Sequence, residues 1–336
     1  MPNLLAAPDK FRGTATAPEV AAAVAEAAHA SGWSCDEVPV ADGGEGILDA
    51  LGGLAKHTRV QGPLGEVVDA EWRLRGRTAV LETARAAGLD LVGGPEWNDP
   101  LRASTAGVGQ LIMAAAAAGA RRIVVGVGGS ATTDGGQGCL ESLEPRARLA
   151  GIELVVACDV STTFLEAAAV FAPQKGASAA QVELLRRRLE RLAQLYLETY
   201  GVDVRDLAGS GAAGGLAGGL AAVGFDLVPG FELVADAVDL AAGVEAADLV
   251  VTGEGFVDEQ SFAGKVVGGV IEMSAEAGVP VLVVAGEVFA GLPSGLAGGA
   301  DVEVVSLVEQ FGRERAFAET RACITEAVIR RLRAQG

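Results

Sequence analysis

Hydrophobic positions along this chain fall into short apolar runs separated by longer alanine-rich stretches with helical spacing, the alternation expected of an α/β protein. Runs at 4–7 and 37–40 read as strands. Between them Thr16-Ala-Pro-Glu19 is a helix start, with Thr16 as N-cap and Pro18 in the first turn, and an Ala/Val helix follows to about Ala30. The rhythm then breaks. From Thr58 to Thr83, Pro63-Leu-Gly65 turns between 59–61 and the alternating 67–74, and Arg75-Gly-Arg77 turns into 78–82. That pattern predicts an antiparallel meander, foreign to a β-α-β repeat.

Helix and strand resume at Ala106, with a helix through Ala118, strands at 122–127 and 152–158, and a long helix over 179–200. The long helix carries Leu184, Leu185, Leu189, Leu192 and Leu195 at helical spacing with arginines and glutamates between, which reads as core packing rather than a ligand-binding face. After Ala247, strands at 248–252, 279–285 and 302–307 alternate with helices, and the last helix runs from about Glu314 to Arg333. These three late strands and the two early ones make one parallel sheet. The chain is therefore expected to form two α/β domains: a discontinuous Rossmann/flavodoxin-like domain from 1–53 and 238–336, and an inserted mixed α/β domain, 54–237, that opens with the meander. The cleft between them is the natural place for a site.

Composition narrows the function. At 336 residues the chain is long enough for two cores, and with half its residues hydrophobic, 4% aromatic and 47 glycines those cores rest on Ala, Val and Leu with close backbone approaches. A net charge of −18 argues against nucleic acid, since a phosphate backbone is bound by a basic surface. An anionic substrate must meet a local basic cluster, for which Lys10 with Arg12, Arg121 with Arg122, Lys175 and Lys265 are candidates. Cys35, Cys139, Cys158 and Cys323 have no CxxC spacing and only two histidines exist, so neither a zinc site nor a disulfide framework is supported, and buried free thiols are expected. The first residues lack the basic and apolar segments of a signal peptide, which makes the cytoplasm the expected compartment. Residues 207–224 are uncharged, but their Gly and Ala content predicts a tightly packed buried helix rather than a membrane span.

Four acidic, glycine-rich turns follow predicted strands: Ala41-Asp-Gly-Gly-Glu-Gly46, Gly128-Gly-Ser-Ala-Thr-Thr-Asp-Gly-Gly136, Ala157-Cys-Asp159 and Thr252-Gly-Glu-Gly-Phe-Val-Asp-Glu-Gln260. Glycines at the carboxyl ends of strands let backbone N–H groups approach an anion, while carboxylates there hold metal or move protons, a combination suited to phosphoryl transfer. Pro8-Asp-Lys-Phe-Arg-Gly13 places Asp9, Lys10 and Arg12 on one loop after the first strand, although spacing alone equally fits a salt-bridged surface loop. Gly126-Val-Gly-Gly-Ser-Ala131 formally fits GxGxxA, but Thr132-Thr-Asp-Gly-Gly136 intervenes where a dinucleotide-binding turn feeds straight into a helix. No GxxxxGK[ST] occurs, which argues against a P-loop NTPase.

Taken in order, Ala7-Pro-Asp-Lys-Phe-Arg-Gly13, Pro39-Val-Ala-Asp-Gly-Gly-Glu-Gly46, Gly62-Pro-Leu-Gly65, the 126–136 segment, Ala157-Cys-Asp-Val160, Pro173-Gln-Lys-Gly176, Gly211-Ala-Ala-Gly-Gly-Leu216 and Thr252-Gly-Glu-Gly255 with Asp258, Gln260, Gly264 and Lys265 resemble the glycerate kinase family that is unrelated to P-loop kinases. The resemblance spans nearly the whole chain. It implies ATP- and Mg²⁺-dependent phosphorylation of D-glycerate on a two-domain fold. Three departures leave the acid open among small hydroxy acids: Arg12 where the family usually has lysine, a shortened stretch after Gly136 with Ser161-Thr-Thr-Phe164 in place of Asn-Pro-Leu, and Phe256 where arginine is common.

On this reading Lys10 or Arg12 holds the substrate carboxylate, with Asp9, Glu254 and Asp258 completing the acid site. ATP phosphates lie on Gly128, Gly129, Ser130, Thr133, Asp134 and Gly135 with Lys175, and Asp134 or Asp159 bridges Mg²⁺. Asp42 orients or deprotonates the attacking hydroxyl and Lys265 neutralises the transferring phosphoryl group. The alternatives are an NAD-dependent hydroxy-acid oxidoreductase and a non-catalytic sugar-acid-binding regulator.

Overall fold

The computed structural model describes residues 1–258, 261, 265–289 and 301–334. Its strands are β1 (Asn3–Ala6), β2 (Ser34–Glu37), β3 (Leu54–Gln61), β4 (Val67–Arg75), β5 (Thr78–Glu82), β6 (Arg122–Gly126), β7 (Glu153–Ala157), β8 (Asp226–Val228), β9 (Leu249–Val257), β10 (Val281–Val288) and β11 (Val302–Ser306). The chain divides into two compact units: unit 1 is Met1–Asp42, Asp49–Leu51 and Phe231–Gly336, and unit 2 is Gly43–Leu48 and Gly52–Gly230.

Unit 1 is built on a five-stranded sheet in the order β11-β10-β9-β1-β2, parallel at every pairing. Both ends of the chain thus share one sheet, with Leu4 paired to Leu249. Numbered within the unit alone, the strands run 2-1-3-4-5, the flavodoxin-like order, whose topological switch point lies between β1 and β9. Helix Ala17–Ala30 covers this sheet. Thr16 and Glu19 form a reciprocal capping box at its start, and its buried Val20, Ala21, Val24, Ala27 and Ala28 pack with Leu4, Val251, Leu282 and Ile324. Small side chains let helix and sheet approach closely, which is how an alanine-rich sequence still makes a dense core.

Two expected boundaries move. The second strand is Ser34–Glu37 rather than 37–40, because Pro39 has no N–H and the ladder loosens there, though the Val38 and Val40 amides still donate to the Ala6 and Pro8 carbonyls. The C-terminal helix is two, Arg313–Ala318 and Thr320–Arg333, broken at Glu319 where the backbone turns to φ −125° and ψ 40°.

Unit 2 holds a six-stranded mixed sheet, β3-β4-β5-β6-β7-β8. The β3–β4 and β4–β5 pairs are antiparallel, which is the meander read from the sequence, and the β5–β6, β6–β7 and β7–β8 pairs are parallel. One core packs Leu81, Ile112, Ile123, Val125 and Leu216, and a second gathers Phe164, Leu185, Leu189, Leu192 and Tyr196. The long helix Ala179–Tyr200 lies where the leucine spacing puts it, started by a Ser178–Gln181 capping box and ended by Gly201 in the left-handed region. Only part of its leucine set is core: Leu184 and Leu195 are about half exposed. The uncharged stretch forms the buried helix Ala212–Ala222, whose first turn runs through left-handed Ala213, Gly214 and Gly215. A side chain at Gly214 would stand 2.0 Å from the Thr132 carbonyl oxygen, so this close crossing admits only glycine. Among the described residues no helix is long and apolar enough to cross a membrane, and all four cysteines are free, with Cys35 half-buried rather than buried.

Candidate functional site

The switch point of the unit 1 sheet gathers charge. After β1, the Ala7 and Asp9 amides continue to donate to the Val251 and Gly253 carbonyls, and the Thr252 hydroxyl donates to the Ala7 carbonyl, so the start of this loop is locked against β9. Asp9 is thereby buried, while Lys10 stays partly open. Oδ1 of Asp9 accepts the Lys10 amide at 2.6 Å and lies 3.4 Å from Lys10 Nζ, which is also 3.8 Å from Oδ1 of Asp42. The side chains of Asp9, Lys10 and Asp42 are 6%, 22% and 34% exposed, a gradient that leaves Lys10 and Asp42 as the groups a solute can reach.

Glu254 completes the cluster from β9. Burial pushes its carboxyl up, against a hydrogen bond from Ser261 and the charges of Lys265 and Lys10, while Asp42 adds to the rise. Its Oε1 is buried without a hydrogen-bond partner among the described residues, and an orphan buried acceptor calls for a ligand or water. Burial likewise pushes the Asp9 carboxyl up to about 7; Lys10 opposes this and Asp42 reinforces it. Asp9, Lys10, Asp42, Glu254 and Lys265 therefore act on one another electrostatically, as crowded carboxylates around lysines do in acid–base sites.

The other expected acid-site residues follow the same two strands. Phe11 and Ala15 exchange backbone hydrogen bonds and close a turn that holds Arg12 exposed at its tip, beside Phe256 and Phe317. Asp258 Oδ1 accepts the Ser261 amide at 3.1 Å in a local turn after β9. Gln260 and Gly264 lie outside the described residues. Asp42 is not the cap of the helix that follows it, since Ile47–Leu51 begins after Gly46 with no side-chain cap.

In unit 2 the glycine-rich turn after β6 is a different object. The helix that ends it, Gln137–Ser142, starts well beyond Gly126, so no dinucleotide-binding turn exists here. Asp134 is fully enclosed, and its carboxylate accepts from the Thr105 amide and hydroxyl and from the Gly136 and Gly138 amides. Three of those bonds fall on Oδ2 and one on Oδ1. Burial raises its pKa and the same bonds pull it back. Asp134 thus ties the Thr105 backbone and the following helix to the turn. Tyr196 donates to the Gly135 carbonyl at 2.9 Å, and a side chain at Gly135 would press on Leu189, Leu192 and Phe164.

Lys175 is buried, donating to the Ser130 hydroxyl at 2.8 Å and the Thr132 carbonyl at 2.6 Å. Burial pulls its ammonium down to about 7, with Asp134 opposing. It braces the turn internally. The Glu45 carboxylate lies where a side chain on Gly129 would be, and a side chain on Gly128 would stand 3.0 Å from the Gly44 backbone, so the protein itself covers the first half of the turn. Asp159 Oδ1 accepts the Gly230 amide at 2.6 Å. Among the described residues no group of three His, Cys, Asp or Glu side chains could hold a metal ion.

One feature escaped the sequence reading. A cavity of about 540 Å³ opens at the second half of the turn, lined by Ser104, Thr133, Gln137 and three arginines, Arg102, Arg188 and Arg191. Thr133 is the one expected nucleotide residue with unmet capacity there, its hydroxyl buried and without a hydrogen-bond partner among the described residues. The arginines come from a loop and a helix far apart in the chain, and no local pattern joins them.

The chain matches the model of the Glycerate kinase family over residues 4–148 and 144–334. A glycerate kinase of Halalkalibacterium halodurans is 38% identical over 331 residues, covering 87% of each chain. A glycerate 2-kinase of Escherichia coli is 36% identical over 324 residues, 84% of this chain and 85% of that one. A crystal structure assigned as glycerate kinase 2 from Salmonella typhimurium superposes with a TM-score of 0.83 at 34% identity, covering 99% of this chain and 98% of that chain.

Proposed function

The chain belongs to the glycerate kinase family and is a kinase, and from that premise we propose that it transfers the terminal phosphoryl group of ATP to D-glycerate. The observation that carries the acid half is the unit 1 cluster, in which an accessible lysine and an accessible carboxylate, Lys10 and Asp42, stand beside the orphan acceptor Glu254 Oε1. Lys10 binds the substrate carboxylate, Glu254 accepts from a substrate hydroxyl, and Asp42 orients the attacking hydroxyl. Asp42 takes the hydroxyl proton as the bond to phosphorus forms, and Asp9, its carboxyl pushed up to about 7, holds Lys10 in place. Lys265, which feels the charge of Glu254, neutralises the phosphoryl group in flight. Arg12 and Asp258 are peripheral. The relative from Escherichia coli supports the 2-hydroxyl as acceptor.

Unit 2 is assigned the donor phosphates, through the cavity at the Thr133 end of its turn. ATP is taken to arrive with Mg²⁺ carried by its own phosphate oxygens and water, as that ion commonly is, and no step here is routed through a protein-held metal. Incubation with ATP, glycerate and a panel of small hydroxy acids, read by coupled ADP release, tests the reaction, and NMR of the product tests the position. Turnover with D-glycerate giving 2-phosphoglycerate is expected. Binding without turnover would instead support a regulator, and nicotinamide-dependent turnover an oxidoreductase.

A further inference from the structure

The arginine-lined cavity of unit 2 is the least explained surface of the molecule. The helix Ala179–Tyr200 carries consecutive arginines with opposite fates. Arg186 and Arg187 are paired with Glu183 and, for Arg186, Glu190. Among the described residues neither Arg188 nor Arg191 meets a carboxylate within ion-pair distance, and both line the cavity from one face of the helix, a turn apart. Arg188 Nη1 donates to the Leu101 carbonyl at 2.7 Å, tying the helix to the loop that presents Arg102 across the opening.

Two carboxylates also line the cavity. Asp134 is enclosed by its four hydrogen bonds, and Glu141 accepts from Gln137 at 2.9 Å. In a chain of net charge −18, three guanidinium groups with no carboxylate within ion-pair distance among the described residues outnumber the two lining carboxylates around a cavity of about 540 Å³ and leave room for an anion. The buried, unpartnered Thr133 hydroxyl adds a neutral donor at its wall, and Leu101, Leu192 and Leu195 add an apolar side. Three planar forks, two from the helix and one from the loop, suit the several oxygens of a phosphate group better than the two of a carboxylate.

We propose that this cavity binds a phosphate-bearing metabolite, its phosphate oxygens held by Arg102, Arg188, Arg191 and the Thr133 hydroxyl. Only the choice of ATP as the leading source rests on the kinase reading above. A phosphorylated product offers the same chemistry.

Calorimetric titration of the full chain with pyrophosphate, ATP and 2-phosphoglycerate separates these sources without depending on turnover. At least one of the three is expected to bind, and its affinity to fall tenfold or more in the double variant Arg188→Gln/Arg191→Gln and on raising salt. An effect confined to ATP identifies the donor, and one confined to 2-phosphoglycerate identifies product. Should the double variant unfold early, Arg102→Gln, which lies on the loop, carries the same expectation. Absence of binding by all three probes, or unchanged affinity in variants that unfold at the wild-type temperature, overturns the proposal. A failure of the kinase reading looks different: phosphate binding persists and no glycerate is consumed.

Discussion

Carboxylates after glycine-rich strands behave in opposite ways in the two units. In unit 1, Asp9, Asp42 and Glu254 crowd around Lys10, one buried carboxyl is pushed up to about 7, and one oxygen lacks a partner. In unit 2, Asp134 is equally embedded in a glycine-rich motif yet has every oxygen engaged by Thr105, Gly136 and Gly138. Unmet hydrogen-bonding capacity is what a ligand can use, and satisfied capacity is what holds a turn together. The motif alone does not separate the two.

Asp42→Asn breaks the comparison from the active side and carries the largest expected effect. It keeps shape and removes charge and basicity, so kcat should fall by about 10²–10⁴ while the unfolding temperature holds. Stopped-flow or steady-state turnover with saturating glycerate and ATP reads this. Asp134→Ala breaks it from the structural side: four buried donors lose their acceptor, and unit 2 should lose on the order of 3 kcal/mol, roughly 6–12 °C by calorimetry. Lys10→Ala should raise KM for glycerate roughly tenfold or more and leave KM for ATP nearly unchanged, because a contact made equally in ground and transition states appears in KM. Arg12→Ala, exposed at the tip of its turn, should do much less; an equal effect would move the carboxylate to Arg12.

The smallest effect is on pH dependence. With Asp9 raised from 3.8 to about 7, the folded chain binds its proton more tightly than the unfolded chain between those values, so stability falls as pH rises through that window. Glu254, also raised, adds to the same slope. Asp9→Asn should shallow the slope in chemical unfolding from pH 4 to 7, and an unchanged slope would mean Asp9 is not held neutral by its surroundings.

Much of this architecture is legible in the chain because it rests on periodicity. The meander at 58–83, the helix Ala179–Tyr200 and the shared terminal sheet all follow from spacing and turn residues. The strand-end loops also point to Asp9, Lys10 and Asp42, since sheet topology delivers them to one edge. What spacing does not reveal is who answers whom. The Thr105 partners of Asp134, the burial of Lys175 by Ser130 and Thr132, and the meeting of Arg102 with Arg188 and Arg191 all join residues distant in sequence. The same helix that reads as ordinary core packing therefore also lines a cavity with its charged face.

The division of labour between the units is tested most directly by one crossed measurement, turnover and thermal unfolding on Asp42→Asn and Asp134→Asn prepared side by side. The account predicts that Asp42→Asn loses turnover at unchanged unfolding temperature, whereas Asp134→Asn unfolds at a lower temperature and keeps most of its turnover while folded. Normal turnover in Asp42→Asn, together with an inactive Asp134→Asn of wild-type stability, would contradict it.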